Sequence, residues 1–378
     1  MKILHIADTH LGYSAYRKLT KDGMNQREID INNSFKQIID YAVKSKPDLI
    51  LHAGDLFDSV RPTNRAITIA LEQIIRLSKE KIPFIVISGN HETPKLKETG
   101  NIFKIFDHLD HIYPIYNNKY ETIPLKIGSK KIIIHAVPHC QTKEGFLDNL
   151  KKVKTDSSAD FNVFMAHGAV TGIKEFKMNE FNELFIPTKA LSKDFDYIAL
   201  GHYHKYTEII ENAFYSGSSD RLTFAEVDGK KGCIEIELGS KTRYKFIEIN
   251  TRSMIDATPL NCSNLTIEEI TKKILERIRK IKPQDKIFRI RLEKISSHIY
   301  RGIDFNEIKK QCMGAVHFEI KSNVIKEGDQ RINENYKIES ITDEFEKFLK
   351  VRDVTGKDLL LKLGLKYIQK VESKDEGK

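Results

Sequence analysis

The strongest constraint on this 378-residue chain is a rhythm of short apolar runs, each stopped by a turn that carries histidine or aspartate. The runs are Ile3–Ala7, Leu49–Ala53, Phe84–Ser88, Lys131–Val137, Phe161–Ala166 and Tyr197–Leu200. The first three alternate with helical stretches near 28–44 and 62–80, and this alternation predicts βαβ units with buried strands. In such sheets ligands gather beyond the carboxyl ends of the strands. At those ends stand Asp8-Thr9-His10, Gly54-Asp55, Gly89-Asn90-His91-Glu92, His167 and Gly201-His202-Tyr203-His204. The later runs Ala213–Ser216, Gly232–Leu238 and Tyr244–Asn250 lack intervening helices, so they predict a second, more antiparallel sheet packed on the first.

Taken singly, these motifs differ in weight. A lone histidine after a strand, such as His167, is more often structural than ligating, and Asp-x-His is weak by itself. Gly-Asn-His-Glu and Gly-His-x-His are stronger, because a glycine-led turn crowded with amide, imidazole and carboxylate has little packing value. In extended chain, residues i and i+2 point the same way. Asp8 and His10 can therefore grip one ion, and His202 and His204 can each serve a different ion. Asp55 has two oxygens and can bridge. Asn90 adds a neutral oxygen. Together these residues supply what a two-metal phosphoesterase needs. His5, His52, His108, His111, His135, His139, His298 and His317 lack this context and read as structural or surface residues.

Composition narrows the setting. No apolar run approaches the roughly 18 residues of a membrane span. The opening segment, Met1–Ala7, is one strand long, so no signal peptide is expected. Cys140, Cys233, Cys262 and Cys312 are scattered, which argues against a zinc ribbon or disulfide framework and for a reducing cytosol. Net charge is +9 and the basic residues are mostly lysine, a balance that suits a polyanionic partner.

The chain changes character near Thr251. An isoleucine stripe (Ile267, Ile270, Ile274, Ile278) predicts a helix over 266–280, and strands are expected at 286–292 and 315–324 with a helix at 304–312 between them. This small α+β unit holds no cluster of metal ligands and reads as a substrate-shaping cap. A third piece begins near Ile338. Ser340 followed by Asp343 resembles a capping box, Phe345, Phe348 and Leu349 share a face, and 357–371 reads as a second helix. The expected division is 1–250, 251–333 and 334–378.

With these motifs in hand, the chain resembles the calcineurin-like metallophosphoesterases. His5-Ile6-Ala7-Asp8-Thr9-His10-Leu11-Gly12, Leu51-His52-Ala53-Gly54-Asp55-Leu56-Phe57 and Tyr215-Ser216-Gly217-Ser218 are similar to the double-strand-break repair nucleases of the meiotic recombination eleven type, SbcD in bacteria, here in an archaeal form. The resemblance implies an α/β fold: a metallophosphoesterase core of two packed sheets flanked by helices, then a small α+β capping domain and a C-terminal helical tail. It implies two Mn²⁺ per chain, although the ligand types also admit Fe²⁺ or Zn²⁺. One ion would be held by Asp8, His10, Asp55 and His204, the other by Asp55, Asn90, His167 and His202. Such a pair generates a nucleophile from water and neutralises charge on the phosphoryl oxygens. His91 would contact the scissile phosphate. Asp58 departs from the pattern, since some relatives carry histidine there.

The activity so implied is 3′–5′ exonuclease and single-strand endonuclease action at broken DNA ends, in the cytoplasm and near the nucleoid. The alternatives are a small-molecule or cyclic-nucleotide phosphodiesterase on the same core, and a DNA-end tethering scaffold. Tyr13, Tyr16, Arg17 and Arg61 follow the first two motifs and are expected to grip the DNA backbone. Residues 62–80 and 101–109 are apolar on more than one face, and the resemblance implies a two-fold homodimer there. Short apolar helices at 340–371 need a docking surface. The resemblance implies that a coiled-coil ABC-type ATPase, Rad-fifty or SbcC-like, receives them.

Overall fold

The structure is a computed structural model that describes residues 1–172, 183–325, 341–350 and 356–375. Two six-stranded sheets form its body. In the first, the strand Lys2–Ile6 runs parallel to Leu49–His52, which is followed in the sheet by Phe84–Ile87 and Ile112–Ile115. In the second, Lys130–Val137, Phe161–His167, Tyr197–Gly201 and Ala213–Tyr215 are mutually parallel, with Glu121–Ile127 and Thr207–Ile210 antiparallel at the edges.

Both faces of the first sheet are buried, which is why its strands read as continuous apolar runs rather than alternating ones. Ile3, Leu49, Leu51, Ile85 and Ile87 meet Ile132, Ile134, Val163 and Met165 of the second sheet. The opposite face, with Leu4, Ile6, Ile50 and Val86, is covered by the helices Gln26–Ser45 and Asn64–Lys79. Asn25 caps the first of these by accepting from the backbone of Arg27 and Glu28, and Thr63 caps the second at Ala66. The outer face of the second sheet packs on the helix Lys143–Lys152 through Phe146 and Leu150.

The expected grouping of the late strands needs correction. Gly232–Glu237 and Arg243–Glu248 do not build the second sheet. They extend the first, with Gly232–Glu237 antiparallel to Lys2–Ile6 in the register Ile3↔Ile236. The first strand would otherwise leave a bare row of backbone donors and acceptors, and this hairpin closes that edge. Of the three runs, only Ala213–Tyr215 joins the second sheet.

A third sheet comprises Met254–Asp256, Leu260–Asn261, Ile287–Ser296 and His317–Ile325. The helix Ile267–Ile281 presses Ile270, Ile274 and Ile278 onto it, and begins at a Thr266–Glu269 capping box. This unit touches the body at chosen points. Arg252 grips both oxygens of Asp30 at 2.6 and 2.7 Å, Tyr16 stacks on His317 at 3.8 Å, and Arg289 lies over the Phe224 ring at 4.5 Å.

At the end of the chain the helices Ile341–Lys350 and Lys357–Asp375 pack on each other, with Phe345 against Gly364. Leu349 is buried, whereas Phe348, Leu359, Leu360 and Leu363 remain exposed. The expected cap residue Ser340 lies outside the described residues. No described helix is long and apolar enough to cross a membrane.

Of the stretches expected at a dimer face, 64–79 is a helix that buries Ala66, Ala70, Ile74 and Leu77 in the core and leaves Ile67 and Ile75 partly exposed. The other stretch, 101–109, holds a five-residue 3-10 helix, Ile102–Phe106. Its two phenylalanines are buried and pack against Phe57, so part of that apolar character is spent internally.

Candidate metal centre

The motif residues converge where the carboxyl ends of both sheets meet. The backbone there is unusual. Asp8, His10, Asp55 and His202 all have positive φ, at 52, 48, 53 and 103°. Side chains rarely adopt this region, and such strain gathers at functional sites. Ladder-like bonds hold it: Asp8 N–H donates to Gly54 O at 2.9 Å, and His10 N–H to Asp55 O at 3.0 Å. Two glycines permit the close approach. A Cβ at Gly54 would sit 2.2 Å from His167 Nδ1, and one at Gly201 would sit 2.0 Å from the carbonyl oxygen of Ala53.

Two ligand clusters result. Asp8, His10 and His204 form one, and Asp55, His167 and His202 form the other; within each, the ligand atoms lie within 4.8 Å of one another. His10, Asp55 and His91 satisfy the same limit, which places Asp55 between the two groups. Asn90 Oδ1 joins the second, 2.9 Å from His167 Nε2 and 3.1 Å from His202 Nδ1. The Asp8 carboxylate is tied across the sheets by the backbone N–H of His202 at 2.9 and 3.1 Å. His167 Nδ1 donates to Ala53 O at 2.8 Å, so its Nε2 faces the cluster.

The donor chemistry fits divalent cations. His10 Nε2 and His204 Nε2 confront each other at 3.1 Å. His204 is oriented from behind by Glu226 at Nδ1, 3.3 Å away, so its Nε2 turns a lone pair inward. Lone pairs crowded among carboxylates repel unless a positive charge lies among them. Charge balance says the same. Burial opposes a proton on His167, yet Asp55 outweighs it and pushes the imidazole up to about 10. Asp55 itself is driven up by burial and down by His167 and His91, and ends well below the usual carboxylate range. Buried carboxylates that favour positive charge on the neighbouring imidazoles favour a metal cation in the same place, with release of those protons. Oxygen and imidazole donors together suit Mn²⁺, Fe²⁺ or Zn²⁺.

His91 stands at the rim. Its Nδ1 donates to Asp58 O at 2.8 Å, and its backbone N–H donates to Asp55 Oδ1 at 3.0 Å. Burial lowers its basicity, but Asp55 and the Asp58 carbonyl raise it to about 9. Asp58 also puts Oδ1 3.2 Å from His10 Nδ1. A cleft of about 600 Å³ opens here between His10, Asp58, His91, His204, Lys205 and Glu226. A second, of about 860 Å³, is lined by Arg61, Asn90, Lys95 and Gln141.

The residues expected to grip DNA are placed unequally. Tyr13 lines the first cleft, but its hydroxyl donates to Leu222 O at 2.8 Å. Tyr16 is occupied by its stack on His317. Arg17 and Arg61 are exposed. Of the histidines read as structural, His5 is buried against Tyr197 OH at 2.8 Å and His52 against Thr9 Oγ1 at 3.1 Å. Sequence reasoning missed four supports. Glu92 accepts from the backbone N–H groups of Phe57 and Gly89, while Glu183, Glu226 and Lys231 stand behind His202 and His204. Glu92 carried a signal inside Gly-Asn-His-Glu, and Glu226 carried one only as the end of a Thr223-x-x-Glu226 capping box; Glu183 and Lys231 lie in loops without a pattern.

Comparison with known proteins agrees with this geometry. Residues 1–206 match the calcineurin-like phosphoesterases. The DNA double-strand break repair protein Mre11 of Sulfurisphaera tokodaii is 33% identical over 356 residues, covering 90% of this chain and 85% of the relative. Its namesake in Saccharolobus solfataricus is 31% identical over 73% of this chain and 69% of the relative, and that of Methanococcus maripaludis 26% identical over 94% and 92%. Those matches extend beyond the phosphoesterase region, and they join the strand-end clusters in one conclusion: the chain belongs to the calcineurin-like phosphoesterases and, within them, to the Mre11 family.

Proposed function

We propose that the chain is a divalent-metal phosphodiesterase that cleaves DNA in double-strand break repair. The observation that carries this is the meeting of seven motif residues in two neighbouring clusters, with Asp55 of one lying 3.9 Å from His10 of the other. Asp8, His10, Asp55 and His204 would hold one Mn²⁺, and Asp55, Asn90, His167 and His202 the second. When bound, the ions supply Lewis-acid activation of water and neutralise charge on the phosphoryl oxygens. The chain's own residues do the rest. Asp55 and Asp8 are fixed by backbone N–H groups and keep their oxygens aimed inward. His91, held at Nδ1, would turn Nε2 toward a phosphoryl or leaving oxygen and donate a proton to it. The two clefts flank this histidine, which supports an extended substrate rather than a compact one. Exposed Arg17 and Arg61 would hold backbone phosphates.

The same reading assigns 1–250 to catalysis, 251–333 to a cap, and 334–378 to partner docking. The exposed leucines of the tail suit helix-in-groove binding by a coiled-coil ABC-type ATPase of the Rad50 or SbcC kind. The helix Asn64–Lys79 would contribute to a homodimer, and the protein would act on cytoplasmic DNA. The test compares linear and single-stranded DNA with bis-p-nitrophenyl phosphate and a cyclic nucleotide, each in Mn²⁺, Mg²⁺ and EDTA. DNA cleavage abolished by EDTA is the expected result. Turnover confined to the small substrates would overturn the proposal.

A further inference from the structure

His202 and His204 stand two residues apart beyond the strand Tyr197–Gly201, yet they face different clusters. An imidazole can ligate through either nitrogen, and the hydrogen bond at the other nitrogen selects which. Each ring has a glutamate on its outer side. His204 places Nδ1 3.3 Å from Glu226 Oε1 and turns Nε2 inward. His202 does the reverse: Nε2 lies 3.2 Å from Glu183 Oε1, and Nδ1 faces Asn90.

Glu226 is itself held firmly. Its Oε2 accepts from Ser218 Oγ at 3.2 Å and from Lys231 Nζ at 2.5 Å. Lys231 is 2% exposed and also donates to the carbonyl oxygen of His204 at 2.9 Å. One ammonium thus grips the backbone of the histidine and the carboxylate behind its ring. Burying an ammonium this deeply is unfavourable unless it is paired. The Oε1 of Glu226 also accepts from the backbone N–H of Thr223 at 3.3 Å, completing the capping box of the 3-10 turn Phe224–Glu226, so the carboxylate that orients His204 is fixed at both oxygens.

We infer that Glu226 and Glu183 are positioning residues, one for each metal ion. Glu226, clamped by Lys231, fixes His204 with its proton on Nδ1 and its ligating lone pair on Nε2. Glu183 fixes His202 with its proton on Nε2 and its ligating lone pair on Nδ1. Opposite tautomers let two near neighbours in sequence serve two ions. The inference rests on the two-ion reading above.

The test titrates Mn²⁺ into the metal-free full-length chain by calorimetry, with electron paramagnetic resonance counting bound ions and thermal melting reporting the fold. Loss of a carboxylate behind a ligating histidine lowers affinity about 10–100-fold. Glu226→Ala should weaken one ion by that factor and leave the other tight, as should Glu183→Ala. The double variant should weaken both, because the two act on different ions. Gln at either position keeps an acceptor for the ring N–H and should recover part of the affinity. If Glu226→Ala does not fold because Lys231 is left unpaired, Glu226→Ala with Lys231→Met removes both charges and carries the same expectation. Glu183→Ala decides independently, because it leaves the Lys231–Glu226 pair in place. Fewer than two ions in the wild type would overturn the two-ion reading and this inference with it. Two tight ions in the wild type and unchanged binding in the Ala variants would overturn the inference alone. So would a double variant that keeps one tight ion, or Gln variants no tighter than Ala.

Discussion

Glu92 supplies no metal ligand, yet its carboxylate fastens together the two loops that carry Asp55, Asn90 and His91. It is fully buried and accepts from Phe57 N–H at 2.6 Å and Gly89 N–H at 2.9 Å. Glu92→Ala leaves both donors without a partner. Each buried orphan costs about 1–3 kcal/mol, so the loss should reach about 2–6 kcal/mol. That is a large part of the roughly 5–15 kcal/mol of a typical domain. Glu92→Gln keeps one acceptor and turns an N–H against the other donor, for a loss of about 1–3 kcal/mol. pH sharpens the test. Burial and the neighbouring Asp55 push the Glu92 carboxyl from 4.5 up to about 8. A folded value above the unfolded one means that stability is full below about 4.5 and falls as pH rises through about 8. The amide does not titrate, so the deficit of Glu92→Gln relative to the wild type should shrink across that window. Urea unfolding in EDTA, followed by circular dichroism at several pH values, measures both effects. A Glu92→Ala loss below about 1 kcal/mol would refute the fastener, because it falls beneath a single orphaned donor. A Glu92→Gln deficit that grows with pH would refute the charge argument.

The remaining expectations concern function. Asp55→Asn should lose metal and turnover together, read by metal analysis beside a nuclease assay, since Asp55 lies within reach of both clusters. His91→Ala should retain metal and fold but lose about 10²–10³ in turnover, the effect of removing one transition-state contact; normal turnover would remove its catalytic role. DNA affinity should be sequence-tolerant and fall steeply from low to moderate salt, because phosphate contacts release counterions; a flat salt titration by fluorescence anisotropy would count against Arg17 and Arg61 as phosphate grips. Deleting residues 340–378 should abolish capture of the coiled-coil ATPase in a pull-down while leaving metal-dependent cleavage by the body intact, since Leu359, Leu360 and Leu363 face solvent there.

Much of the site was legible because ligation restricts residue type and strand ends restrict position. Asp8, His10, Asp55, Asn90, His167, His202 and His204 could all be named as candidates before any geometry was known. The left-handed backbone at Asp8, His10, Asp55 and His202 was not legible, since none of them is glycine and the conformation is forced by neighbouring loops. Nor were Glu183 and Glu226, whose contacts arise from the folding of separate loops onto the two histidines. The sheet assignment of Gly232–Glu237 failed for a related reason. Its partner Lys2–Ile6 lies at the other end of the body's sequence, and local periodicity carries no information about which edge a hairpin closes.

The candidate ligands are divided between the sheets: Asp8, His10, Asp55 and Asn90 follow strands of one, and His167, His202 and His204 come from the other. His10 and His204 are 194 residues apart in sequence. A cation bound between them would therefore be a staple as well as a reagent, closing a very long loop of chain, and clips of this kind remove the most freedom from the unfolded state. Metal starvation would then do more than silence the enzyme. It would loosen the seam between the halves of the sandwich, so that the pool of working protein and its lifetime would both follow the supply of the ion.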